Sequence, residues 1–296
     1  MEFAVSNIHH LKTRMLIAVN LSNSCETETN NFGHGAKGEM VYSEQIKFIL
    51  RRLGLFNLAA KLYCLINPRV RHAIKEGERL NEQFEVLLSE LLSHHGMYAI
   101  QVGSHDGQTN DPLSKYITRF DWNAILIEPT PRAFAKLESR YEKIDKVLTL
   151  NIAVAAECTQ RTFFYVSDDA KSKLGESCPD WYDQLSSFSK ENIQKHVSGI
   201  LAPYIEELEV EVATLENIFA TSGFPRIDVL HVDAEGYDLE VLSSFDIHKH
   251  KPQVIIFEHK HLSPCDLNSF EHSLTSSGYI LKKFNDDIVA FIPNGY

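Results

Sequence analysis

Residues 98–113 read YAIQVGSHDGQTNDPL. An apolar, strand-like segment runs into a turn in which Gly103 and Gly107 bracket His105 and Asp106. Glycine after the first strand of an open α/β sheet lets the backbone approach a ligand closely, and it equally serves any chain that must turn sharply. Which applies depends on whether the rest of the chain repeats the strand and brings polar groups to the same sheet edge.

Four more apolar runs share its character: AILIEP (124–129), VLTLNIAVA (147–155), IDVLHVDAEG (227–236) and PQVIIFEH (252–259). Helical patterns such as RAFAKLESRYEKI and YDLEVLSSF fall between several of them. Continuous apolar strands separated by helices predict a mostly parallel sheet covered on both faces, a doubly wound, Rossmann-like α/β fold. The closing GYILKKFNDDIVAFIPNGY departs from this pattern, and its two short strands around NDD predict an antiparallel hairpin at the sheet edge. An insertion at about 167–205 separates the third and fourth runs, after which LEVEVATLENIF reads as a strand leading into a helix.

The 296 residues are 44% hydrophobic and 23% charged, enough to bury a full core in one large domain with an appendage. A net charge of −11 supplies no general field for nucleic acid, which demands a basic surface. Cys25, Cys64, Cys158, Cys178 and Cys265 are odd in number, widely spaced and without a CxxC pair. Neither a disulfide scaffold nor a structural zinc site is favoured, and reduced thiols in the cytoplasm are expected.

Residues 1–39 are read as a disordered or loosely packed leader, with Met40 as a second candidate start: MLIAVNL (15–21) is too short to span a bilayer, and the stretch after it is rich in Ser, Asn, Thr and Gly. Residues 40–96 are read as a helical extension or cap, and 97–296 as the main domain. Lys47, Arg51, Arg52, Lys61, Arg69, Arg71 and Lys75 fall between Glu44 and Glu76 with no acid among them. A basic amphipathic helix over 44–75 either packs on the main domain or makes a peripheral contact with an anionic membrane. A second helix at about 77–94 leads into the first strand.

The GxxxG spacing of Gly103 and Gly107 departs from the GxGxxG dinucleotide fingerprint and is not followed by the Lys-Ser/Thr of a P-loop. Glu128 lies 21 residues beyond Gly107 at the end of the next strand. A carboxylate there can accept hydrogen bonds from both hydroxyls of a ribose. The two signals in register point to a nucleoside-bearing ligand.

The segments IQVGSHDGQTNDPL, ILIEPTP, LNIAVAAE, IDVLHVDAEGYDLEVLSSF and VIIFEHKHLS, in this order and at these intervals, resemble the FkbM family of S-adenosylmethionine-dependent methyltransferases from about Tyr98 to Phe291. Gln101 is a departure, since many members carry an acid there. The resemblance implies S-adenosyl-L-methionine as cofactor, its methionine portion facing Gly103, Ser104, Asp106 and Gly107 with Gln101 beside them. Glu128 and Pro129 would then meet the ribose, and Asn151, Ile152 and Ala153 the adenine. It also implies methylation of a hydroxyl on a sugar, lipid or secondary metabolite, so the partner is a small-molecule, glycan or lipid acceptor. A methyl on a sulfonium is already electrophilic. The protein's work is to align the acceptor and, for a hydroxyl, to accept its proton.

Acceptor-side candidates lie after the fourth and fifth runs. Asp233 and Glu235 come first, Asp233 also reaching the cofactor, and His259 is a candidate base because imidazole titrates near neutrality. Trp181, Tyr182, Phe188 and His196 of the insertion, with His261, are candidate acceptor contacts of a covering lid. No metal is expected: HExxH is absent, and EHKH (258–261) read as an extended strand end points alternate side chains apart. Two other readings remain open. A nicotinamide-dependent dehydrogenase explains Glu128 but requires a GxGxxG turn, and a nucleoside-binding module without catalysis would keep the pocket alone.

Overall fold

The computed structural model describes residues 68–179, 181–196 and 199–293, with side chains for 72–179, 181–194 and 199–293. The chain divides into two units, Met1–Glu76 and Gly77–Tyr296. The expected leader and the basic segment 44–67 lie outside the described residues. Helix α1 (Pro68–Leu92) is continuous through the gap expected between the basic helix and its successor. From Gly77 onward it belongs with the α/β unit, where Leu88 and Leu92 are fully buried. No helix among the described residues is long and apolar enough to cross a membrane.

After α1 come β1 (Tyr98–Val102), α2 (Ser114–Arg119), β2 (Asn123–Ile127), α3 (Pro131–Tyr141) and β3 (Val147–Leu150). Next are β4 (Ala153–Val154), β5 (Thr159–Val166), α4 (Asp169–Leu174), β6 (Ser186–Ser187), α5 (Lys190–His196), β7 (Ile205–Ala213) and α6 (Leu215–Ser222). The remainder is β8 (Val229–Val232), α7 (Asp238–Ser243), α8 (Ile247–His250), β9 (Val254–Glu258), α9 (Pro264–Ser276), β10 (Ile280–Phe284) and β11 (Asp287–Phe291). Local chemistry sets several boundaries. The Thr214 side chain caps α6 by accepting from the Asn217 N–H, and Ser263 caps α9 in the same way with Pro264 at the first turn.

The main sheet has the order β10-β11-β9-β8-β1-β2-β3. β3, β2, β1, β8 and β9 are parallel, and β11 is antiparallel to both β9 and β10, so β10 runs with the parallel group. The expected hairpin is present, but only β10 is an edge. Ile288, Val289 and Ala290 of β11 are fully buried, whereas β10 exposes Lys282 and Lys283, which discourage pairing with another chain. Leu88, Leu92, Leu113, Trp122, Leu137 and Tyr141 pack on one face of the sheet. Leu215, Ile218, Val241, Leu242, Phe245 and Leu274 pack on the other. Each fully buried aliphatic side chain contributes about 1.5–3 kcal/mol, which explains why the central strands are apolar without alternation.

One expected strand is two. VLTLNIAVA leaves the main sheet after Leu150, and Ala153–Val154 joins a second sheet of order β4-β7-β5-β6. Its backbone is the antiparallel pair β5 and β7, in register from Thr159↔Val212 to Val166↔Ile205. The insertion between β5 and β7 folds around Val166, Ala170, Tyr182, Ile193 and Leu201.

Candidate functional site

β1 leads to β2 on one side and is flanked by β8 on the other, so a crevice opens beyond their carboxyl ends. The pocket there is lined by Gln101–His105 after β1, Glu128 and Pro129 after β2, and Ile152, Ala153 and Val154 between the sheets. Phe163, Phe188, Asp183 and Gln184 close it from the second sheet and the insertion, and Asp233, Glu235 and Tyr237 from the loop after β8.

The turn after β1 both holds the pocket and reverses the chain. Gly103 has φ +78°, and a Cβ there would overlap the carbonyl oxygen of Asp233. The Ser104 hydroxyl donates to the Gln101 carbonyl and accepts from the Ile127 N–H, each at 3.2 Å, which ties the turn to β2. Asp106 and Gly107 do not line the pocket. The Asp106 carboxylate accepts from the N–H groups of Gln108 (2.9 Å) and Thr109 (2.7 Å), closing the turn on itself. A side chain at Gly107 would stand 2.7 Å from Leu137 and 2.8 Å from Tyr141, so that glycine lets α3 pack.

Glu128 is 5% exposed. Its Oε2 accepts from the His105 N–H at 3.0 Å, and its Oε1 from the Thr130 N–H at 2.8 Å and the Thr130 hydroxyl. Burial raises its pKa, with the Thr130 and His105 contacts pulling the other way. Oε1 thus has both acceptor positions taken, and Oε2 keeps one with which to accept from a ligand. Asn151 stands behind the pocket: its amide donates to the carbonyls of Glu128 (2.9 Å) and Pro129 (3.1 Å) and shapes the end of β2.

The far wall is aromatic. Phe188 lies 5.0 Å from Phe163 and 5.2 Å from Tyr237 between ring centroids, and the Arg161 guanidinium stacks 4.1 Å from the Phe188 ring while pairing with Glu240 at 3.2 Å. Gln101 Oε1, His231 Nδ1 and both ring nitrogens of His105 are buried without hydrogen-bond partners, and all three residues face the pocket. His105, Phe163, Asp183 and Tyr237 were not assigned from the sequence. Asp183 lies within the insertion, and only the second sheet, with its long-range pairing, shows that Phe163 belongs here.

Several expected residues sit elsewhere. Trp181 is 42% exposed and outside the pocket. Tyr182 fastens the insertion, donating to Asp168 at 2.7 Å and accepting from Arg132 at 3.3 Å. His196 ends α5, and its side chain lies outside the described residues. His259 does not line the pocket with Asp233, and its N–H donates to the Asp286 carbonyl at 2.8 Å.

The extended reading of EHKH is also corrected. β9 stops at Glu258, and the Leu262 N–H donates to the His259 carbonyl at 3.2 Å. The resulting turn puts His261 Nε2 3.4 Å from Glu258 Oε2, and Glu235 Oε2 lies 3.8 Å from the same nitrogen. Burial, then the nearby Asp233, Glu235 and Asp238, pushes Glu258 up to about 9. Burial, then Asp233 and Asp238, pushes Glu235 up to about 8, although its side chain is still 29% exposed and water offsets part of that rise.

His231 supplies a test of the buried strand beneath the pocket. It is 5% exposed in the middle of β8, and burial pushes its pKa down to about 4. The folded state keeps it neutral while the unfolded chain takes up a proton below its ordinary value of about 6.5. Stability therefore falls as the pH drops from about 6.5 to 4, by roughly 3 kcal/mol in total. In urea unfolding, His231→Gln is expected to flatten this acid slope relative to the parent protein. Parallel slopes would refute the assignment.

The methyltransferase FkbM domain family matches residues 101–283. Among solved structures, methyltransferase FkbM from Methylobacillus flagellatus KT is 14% identical with a TM-score of 0.41, covering 66% of this chain and 43% of its own. The present chain thus spans under half of that protein's length. The precorrin-6y C5,15-methyltransferase of Geobacter metallireducens GS-15 is 11% identical with a TM-score of 0.35, covering 70% of this chain and 86% of its own. M. capricolum TrmK, solved with S-adenosyl-homocysteine, is 10% identical with a TM-score of 0.38, covering 74% of this chain and 69% of its own. No curated protein matches the chain significantly. The family match covers more than half of the chain, including every strand end that builds the pocket, and the chain belongs to the FkbM methyltransferase domain family.

Proposed function

We propose that the protein is an S-adenosylmethionine-dependent O-methyltransferase acting on a hydroxyl of a sugar, lipid or secondary metabolite. The observation that carries this reading is one pocket, in an FkbM-family domain, that gathers the turn after β1, Glu128 at the end of β2 and the apolar link Ile152–Val154. The residues fit the cofactor. Glu128 Oε2 keeps one acceptor position for a ribose hydroxyl, Ile152 and Phe163 offer apolar surface to a purine, and Gln101 Oε1 and His231 Nδ1 are buried polar atoms that a bound polar group can satisfy.

S-adenosylmethionine, when bound, supplies an electrophilic methyl group. Asp233, which lines the pocket at the end of β8 and whose carboxyl pKa is raised by burial above the usual range, would hold the acceptor hydroxyl and accept its proton. Phe188 and Tyr237 limit water on the acceptor side.

Isothermal titration with S-adenosylhomocysteine tests the reading. Micromolar binding without NAD binding is expected, and Glu128→Ala should weaken it by about 1.5–3 kcal/mol, roughly 10- to 150-fold. Full affinity in a folded variant would remove Glu128 from the site. Absence of binding to the parent protein would sink the cofactor assignment.

A further inference from the structure

The loops after β8 and β9 meet beside the pocket. Asp238 accepts from the N–H groups of Ala234 (3.3 Å) and Gly236 (3.2 Å), which curls the first loop and holds Glu235 at φ +48°, a backbone region that side-chain-bearing residues seldom occupy. At Gly236 this loop runs so close to the second that an added Cβ would lie 3.2 Å from the Cβ of His261. One ligand atom each from Glu235, Glu258 and His261 then falls within 4.8 Å of the others.

The donor set is chemically specific. Two carboxylate oxygens and an imidazole nitrogen suit first-row divalent cations such as Mn²⁺, Fe²⁺ and Zn²⁺, and three protein ligands leave coordination positions open for a substrate. A second observation concerns Glu258 alone. Its Oε2 is buried and accepts no hydrogen bond, its contact being His261 Nε2 at 3.4 Å, so a cation between the two would satisfy both. The nearby Lys260 is directed to Asp286 at 3.4 Å.

We propose that Glu235, Glu258 and His261 form a binding site for a divalent transition-metal ion on the Asp233 side of the pocket. Glu235 belongs to both the pocket and the ion site, so an ion held there would lie at the edge of the space where an acceptor would bind. That role toward the acceptor rests on the methyltransferase reading, whereas the ion site itself does not.

The test is a Mn²⁺ titration of the full chain after chelator treatment, following the free-ion EPR signal. One saturable Mn²⁺ per chain is expected, weakened tenfold or more by Glu258→Gln and by His261→Ala. Glu258→Gln preserves shape, and unchanged thermal unfolding will establish that each variant is folded. Asp286→Asn removes a neighbouring charge outside the set and should alter the affinity less than twofold. No saturable binding would overturn the proposal. So would a loss in Asp286→Asn equal to the others, since binding would then follow general negative charge. Titration with S-adenosylhomocysteine keeps the two ideas apart: a chain that binds Mn²⁺ but not the nucleoside loses the cofactor reading and keeps this site.

Discussion

Gly103→Ala is expected to destabilise the protein by at least about 4 kcal/mol, a size reserved for single substitutions with a named structural cause. The cause has two parts. A left-handed backbone costs a side-chain-bearing residue about 1–2 kcal/mol, and the new methyl group must displace the Asp233 carbonyl at the end of β8. That carbonyl belongs to the backbone of a loop anchored by the Asp233 N–H to the Val102 carbonyl at 3.0 Å, so relief requires separating β1 from β8 at their shared end. Since domains of this kind are stable by about 5–15 kcal/mol, much of the margin disappears. Urea unfolding checks the value, and a variant within 1 kcal/mol of the parent would contradict it, 1 kcal/mol being about the ordinary cost of a point substitution.

Asp233→Asn is expected to lower methyl transfer by roughly 10²–10⁴-fold while leaving nucleoside affinity nearly constant. Asn keeps the shape and removes the proton acceptor. Because Asp233 and Glu128 line the pocket from the ends of different strands, the proposed acceptor handling and ribose binding would fall on separate residues. The measurement is a mass-spectrometric search for a methylated product that depends on both enzyme and S-adenosylmethionine, followed by rates for the variant. Equal losses in nucleoside binding and turnover would make Asp233 a general structural residue, and undiminished turnover would remove it from the chemistry.

The strands of the main sheet were legible because burial on both faces demands nearly continuous apolar runs, as in Val254–Phe257 and, broken only by His231, in Val229–Val232. Glu128 was legible for a related reason, as a carboxylate at the end of such a run. The division of VLTLNIAVA was not, since what ends β3 includes an Asn151 amide reaching two carbonyls just beyond β2. Phe163 escaped notice because β5 is half exposed and Phe163 pairs with Leu208 of β7, far along the chain. The turn after β9 was not legible either, because EHKH was read as an extended strand end, whereas β9 stops at Glu258. A single hydrogen bond from the Leu262 N–H to the His259 carbonyl turns the chain there.

The order of the main sheet bears on how the protein is made. β1 pairs early with β2, but its other edge belongs to β8, and the Tyr98 N–H reaches Asp228 across 130 positions. At about 5–20 residues per second a ribosome needs roughly 7–26 s to supply that partner. Throughout this interval the nascent chain carries a strand whose Ala99, Ile100 and Val102 are destined for burial and whose edge is open. Slowing translation should therefore lengthen the interval in which neighbouring nascent chains can pair along that edge.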